Sequence, residues 1–282
     1  MKLRYIFGCA LGLTLVATSC SDFLTEKPKG KLTPDNYFSS QDELNMGVYA
    51  LYSKVCDIQT NTNPMMMAWQ GDDITTNPGS NKQHLAEVDA FHPNDGNNGA
   101  AWAWRTSFVA IKAANDIVNN AGKTPTTDAE KDIAIGQAKF WRAVNYFYLV
   151  RRFGPIPMNL KGDIDYNRPL TSVEEVYKQI VADLKDCVAT LPTKYTEAPR
   201  LINEANIYIT KQAAQATLTA VYMAMAGWPL QQTERYADAA EQAKAVIDGV
   251  QAGTYEYILE SDYKNVYAIS HNYTNETVVG IN

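Results

Sequence analysis

The chain has 282 residues, of which 46% are hydrophobic and 11% aromatic, with 12 prolines and 25 basic against 31 acidic side chains. This composition excludes a disordered or low-complexity chain and supplies enough apolar surface for a large core. The acidic balance argues against nucleic acid as a partner, and four cysteines are too few for a disulfide framework.

Met1 to Arg4 is short and basic, and Tyr5 to Ala17 is an apolar run too short to cross a bilayer, which needs about 20 such residues. The run decays through Ala17-Thr18-Ser19 into Cys20, resembling a lipobox. Residues 1–19 therefore read as a lipoprotein signal peptide, Cys20 as the acylated first residue, and residues 20–40 as a lipidated tether. An ordinary signal peptide with an incidental cysteine is the alternative. Several acyl chains, at about 0.8 kcal/mol per buried CH2, would hold the protein on a membrane without spanning it. Loss of Lys2 and Arg4 with the signal leaves a net charge of −8. Cys56 and Cys187 then remain, both on apolar helical faces; buried free thiols are expected, with a single disulfide as the alternative and no zinc site.

Helical periodicity dominates the remainder. A Ser40-x-x-Glu43 capping box precedes Leu44, Val48, Leu51, Tyr52 and Val55, predicting a helix over about 41–55. A second helix, about 101–121, carries Trp104, Phe108, Ile111, Asn115 and Val118 on one face. A third begins at Thr127-x-x-Glu130, carries Ala134, Ala138, Trp141, Asn145 and Tyr148, and stops at Gly154-Pro155-Ile156-Pro157. The fourth, from Ser172-x-x-Glu175 to Pro192, places Val176, Ile180, Leu184 and Cys187 on one stripe. An Ala- and Met-rich fifth is expected over about 207–227. A sixth, about 235–248, turns Tyr236, Ala240, Ala243 and Ile247 inward. Trp104, Trp141 and Trp228 are assigned to the core. Little alternates with period two, so the expected fold is all-α: a tetratricopeptide-like helical-repeat scaffold with long irregular loops and almost no sheet.

Residues 57–99 have a different texture, rich in Asn, Gly and Pro, and a segment of this length is either functional or disordered. No catalytic signature occurs: no G-x-S-x-G, no H-E-x-x-H, no Walker loop. His84, His92 and His271 are scattered and read as loop residues. Asp72 and Asp73, with Asp89 and Asp95, are weighed as a glycosidase carboxylate pair or as Ca2+ ligands, with turn-forming aspartates the simpler reading. What remains is rings beside amides: Trp69, Asn77, Asn81, Phe91, Asn97, Asn98 and Trp102. Aromatic faces suit the C–H faces of sugar rings, and amides both donate to and accept from hydroxyls. The alternative is that these rings pin a long loop to the helices.

The segments C-S-D-F-L-T at 20–25, Y-F-S-S-Q-D-E-L at 37–44, W-R-T-S-F-V-A-I-K-A-A-N at 104–115, A-K-F-W-R-A-V-N-Y-F-Y-L-V-R-R-F-G-P-I-P at 138–157 and R-P-L-T-S-V-E-E-V-Y at 168–177 together resemble the SusD/RagB family. The resemblance implies a non-enzymatic, surface-exposed outer-membrane lipoprotein of the Bacteroidetes, without cofactor, that captures oligosaccharides and delivers them to a SusC-like TonB-dependent transporter. A structural transporter lid with little ligand affinity, a peptide-binding relative, and a hydrolase using Asp72 or Asp73 are the alternatives. Residues 41–282 match the N-terminal helical part, where the family continues for roughly as long again. Exposed apolar surface is therefore expected around Tyr255, Tyr257, Tyr263 and Tyr267. Trp69, Asn77, Asn81 and Trp102 are the candidate ligand contacts, from chemistry and placement, and no metal site is expected.

Overall fold

A computed structural model describes residues 36–58, 71–76, 79–163, 165–197, 199–202, 205–269 and 273–280. The signal peptide, Cys20, Trp69, Asn77 and His271 lie outside these residues. Among the described residues of the unit Tyr37–Asn282, seven α-helices follow one another: α1 Gln41–Ile58, α2 Gln83–Asp89, α3 Asn98–Asn120, α4 Asp128–Phe153, α5 Val173–Thr190, α6 Lys211–Ala226 and α7 Arg235–Gln251. The described strands form two small antiparallel ladders, β1 Ile156–Pro157 with β2 Leu170–Thr171, and β3 Leu201–Ile202 with β4 Ala205–Asn206.

The helices start where short-range chemistry directs. Ser40, Thr127 and Ser172 each accept a hydrogen bond from the backbone N–H three residues on, at 3.2, 3.3 and 3.3 Å. The reciprocal half of the first box shifts by one residue, because the Glu43 carboxylate accepts from Ser39 N at 2.6 Å and Ser39 Oγ at 2.7 Å. Gly154 ends α4 at φ +71°, a conformation in which a side chain is strained, and its N–H closes on Val150 O.

Packing follows chain order: α1 on α3 and α4, α3 on α4, α4 on α5, α5 on α6, and α6 on α7. This is the tetratricopeptide-like array, each helix burying its apolar stripe on the last. Leu44, Val48, Leu51, Val55 and Ile58 form the buried stripe of α1 at spacings of four and three, each worth about 1.5–3 kcal/mol of burial. Phe140, Trp141, Tyr146 and Leu149 of α4 lie at the centre of the core. Gly136 lets α4 and the end of α5 come together, since a Cβ there would sit 2.4 Å from Leu191 Cδ2. Buried Gln137 ties the array together: it accepts from Tyr52 Oη at 2.6 Å and Ile209 N at 2.8 Å, and donates to Tyr195 Oη at 3.0 Å.

Several expectations are corrected. Helix α2 was not foreseen. Trp228 is 82% exposed in the turn after α6, not core, and Trp104 is only half-buried. In α7 the buried residue is Ala239, while Tyr236 and Ile247 are exposed. Tyr255 is buried, its ring lying over Gly249 and its hydroxyl 3.0 Å from Gln215 Oε1, and Tyr257 is half-buried. Tyr263 and Tyr267 are exposed as expected. Cys56 and Cys187 form no disulfide with each other, and Cys56 is only half-buried. Among the described residues, no helix is long and apolar enough to cross a membrane.

Candidate functional site

Two of the four candidate ligand contacts fall within the described residues. Asn81 is exposed in the 3-10 turn Ser80–Lys82 that leads into α2. Trp102 is 41% exposed in the second turn of α3, and the guanidinium carbon of Arg105 lies 5.4 Å from its ring centroid. Phe91, at φ 53°, is 73% exposed.

Asn97 has a different role from the one its neighbourhood suggested. It is the N-cap of α3, accepting from Ala100 N at 3.0 Å, and its amide donates to His84 O and to Glu87 Oε2 at 3.0 and 2.7 Å. Gln83 and Asn94 donate to the same Glu87 carboxylate. These bonds, Asn97's first, hold the Glu87 carboxyl below the ordinary glutamate range. The loop is thus knitted around one carboxylate and carried on the start of α3. Asp89 is likewise structural, accepting from Thr75 Oγ1 at 2.9 Å and Thr76 N at 3.0 Å. Among the described residues no three acidic, histidine or cysteine side chains are grouped to hold a metal ion.

An open groove of about 500 Å3 runs between α3 and the chain joining α4 to α5; Arg105, the neighbour of Trp102, lines it, and Trp102 does not. Trp104 and Phe108 line it; their rings lie 4.9 Å apart, and Phe153 meets Trp104 edge-on at 5.1 Å, which fixes that ring from behind. Arg105, Lys112, Asp163, Asp165, Tyr166 and Arg168 supply its polar lining.

The opposite wall is held by a buried polar chain. Arg142 makes a two-point contact with Asp183 at 2.8 and 2.7 Å and donates to Asn115 Oδ1 at 2.8 Å. Asn115 in turn donates to Asn159 O at 2.8 Å. The Tyr146 hydroxyl accepts from Asn159 N and donates to Asn159 O, and burial pushes its pKa to about 12, so it remains a neutral donor at pH 7. Gly162 permits the final approach, because a Cβ there would lie 2.6 Å from Asp116 Oδ1. A wall held in this way keeps its shape before any ligand arrives.

An aromatic floor with donors and acceptors at its edge suits a ligand that has an apolar face and a hydroxylated rim. None of the wall residues was assigned to a site from the sequence, Asn115 being read only as part of a helical face; the local sign was the turn-rich run Asn159 to Asn167. A second recess of about 430 Å3 is lined by Tyr49, Tyr52, Ser53, Cys56, Ile207 and Tyr208, among others.

Comparison with known proteins agrees with this architecture. Residues 22–223 match the SusD-like family described as starch-binding and associating with the outer membrane. The chain belongs to that family. It is 28% identical over 275 residues to SusD-like protein P2 of Formosa agariphila, covering 95% of this chain and 50% of that one. Surface glycan-binding protein A of Bacteroides uniformis superposes with a TM-score of 0.71 at 20% identity, over 85% of this chain and 52% of that one. A structure solved with xylogluco-oligosaccharide gives 0.70 at 21% identity, over 84% and 46%. The chain spans about half the length, or less, of the curated relatives it matches.

Proposed function

We propose that this protein is a non-catalytic glycan-capture lipoprotein of the outer membrane, anchored through Cys20 and exposed at the cell surface. It takes up an oligosaccharide on the face formed by the start of α3 and the adjoining groove, and passes it to a SusC-like TonB-dependent transporter. Trp102 and Asn81 are the proposed contacts at the mouth, joined by Trp69 and Asn77.

The observation that carries this reading is a groove floored by Trp104 and Phe108 and edged by polar groups, one of which, Arg105, also lies against the exposed Trp102 ring. Family membership supports it, since the family's description is starch-binding at the outer membrane. So does the fold-level likeness to a chain solved with a xylogluco-oligosaccharide.

Affinity electrophoresis of the full chain against a panel of polysaccharides and peptides tests the proposal. One glycan class should retard the protein. Trp102→Ala should weaken that retardation by about 1 kcal/mol, roughly fivefold, and a Trp69→Ala, Trp102→Ala double variant should weaken it further. Equal retardation of the variants would refute the site, and a panel without a binder would favour a structural transporter lid.

A further inference from the structure

Arg105 differs from Arg168, the other arginine that lines the groove, and from Arg142 behind its wall, each of which meets a carboxylate. Arg105 is exposed, makes no ion pair among the described residues, and lies with its guanidinium carbon 5.4 Å from the Trp102 ring centroid. In a chain with a net charge of −6, that places a guanidinium with five uncommitted N–H donors at the mouth of an aromatic-floored groove.

A second guanidinium in the groove is also incompletely used. Arg168 approaches Asp163 at 3.5 Å and Asp165 at 4.0 Å through Nη2, while its Nε–H is buried without a partner. A buried orphan donor calls for an acceptor.

We propose that the groove takes an oligosaccharide carrying an anionic substituent, a uronate carboxylate or a sulfate ester, held by Arg105 above the Trp104–Phe108 floor with the Arg168 guanidinium as a second donor. This rests on the glycan-capture reading and names the ligand class of the same site. Planar guanidinium groups match carboxylate and sulfate oxygens in a two-point geometry. The volume of about 500 Å3 lies within the roughly 300–1,000 Å3 of small-molecule sites. Asp163 and Asp165 flank Arg168 on the opposite wall and offset its charge, which leaves Arg105 as the main attraction for the anion.

Calorimetry on the full chain should use two pairs of oligosaccharides of equal length: an oligouronate with its carboxyl-reduced counterpart, and a sulfated oligosaccharide with its desulfated counterpart. One anionic member should bind about tenfold or more tighter than its neutral partner, and the preference should shrink as salt is raised. The pair that shows it identifies the anion. Arg105→Gln should abolish the preference, whereas Asp163→Asn should tighten anion binding by about threefold, a gain that misfolding cannot produce.

Neutral members binding as tightly as anionic ones, or a preference that survives Arg105→Gln, would overturn the proposal while leaving glycan capture standing. Absence of binding by any neutral or anionic oligosaccharide would overturn both.

Discussion

Glu87 is the residue on which the loop ahead of α3 turns. Its carboxylate gathers amide donors from Asn97, Gln83 and Asn94, and the result is a pKa below the ordinary value. A carboxyl lowered in the folded state stabilises it fully above the unfolded glutamate pKa, about 4.3, and loses that contribution as pH falls through the folded value. A carbon-detected NMR titration should place the Glu87 midpoint below that of free glutamate, and Asn97→Ala should move it upward. A midpoint at or above the free value in the parent protein would contradict the network. The helix caps at Ser40, Thr127 and Ser172 could be read from sequence, because their partners lie three residues away. The cap that Asn97 gives Ala100 N is equally local, but its tie to Glu87 was not legible, because that carboxylate lies ten residues back within an unforeseen helix.

Among the elements, α4 is the hub, and its least obvious contribution is ionic. Arg142 and Asp183, with side chains 5% and 2% exposed, join α4 to α5. Through Asn115 and Asn159 the same pair supports the groove wall. Asp183→Ala would leave a buried guanidinium unpaired and should lower stability by about 3–5 kcal/mol in urea denaturation. A loss below about 1 kcal/mol would mean that water reaches the site and the pair is not a structural tie. The apolar stripes of α1 and α5 were legible from spacing alone. That of α7 was misjudged, because alanines at 237, 239, 240, 243 and 245 supply small residues on several faces. Periodicity cannot decide which such stripe meets α6; tertiary packing chose the one with Ala239.

At the scale of the whole molecule, the fold class was legible and the groove was not. The order of the six longer helices follows from local patterns, and the short α2 is the exception. The groove needs residues from 104–115 and 157–168 brought together by packing and by a buried polar chain with no short-range signature. The tail had the opposite outcome for Tyr255, which was expected to be exposed yet lies over Gly249, whose missing side chain makes the room. The central claim, that glycan is captured on the α3 face, is tested most directly by hydroxyl-radical footprinting with the oligosaccharide that binds best. Trp102, 41% exposed, and Tyr166, 94% exposed, should lose labelling at saturation, while Trp228 and Tyr267, 82% and 74% exposed, should keep theirs. Unchanged labelling of Trp102 and Tyr166 at saturation would show that the ligand binds elsewhere and would contradict the account.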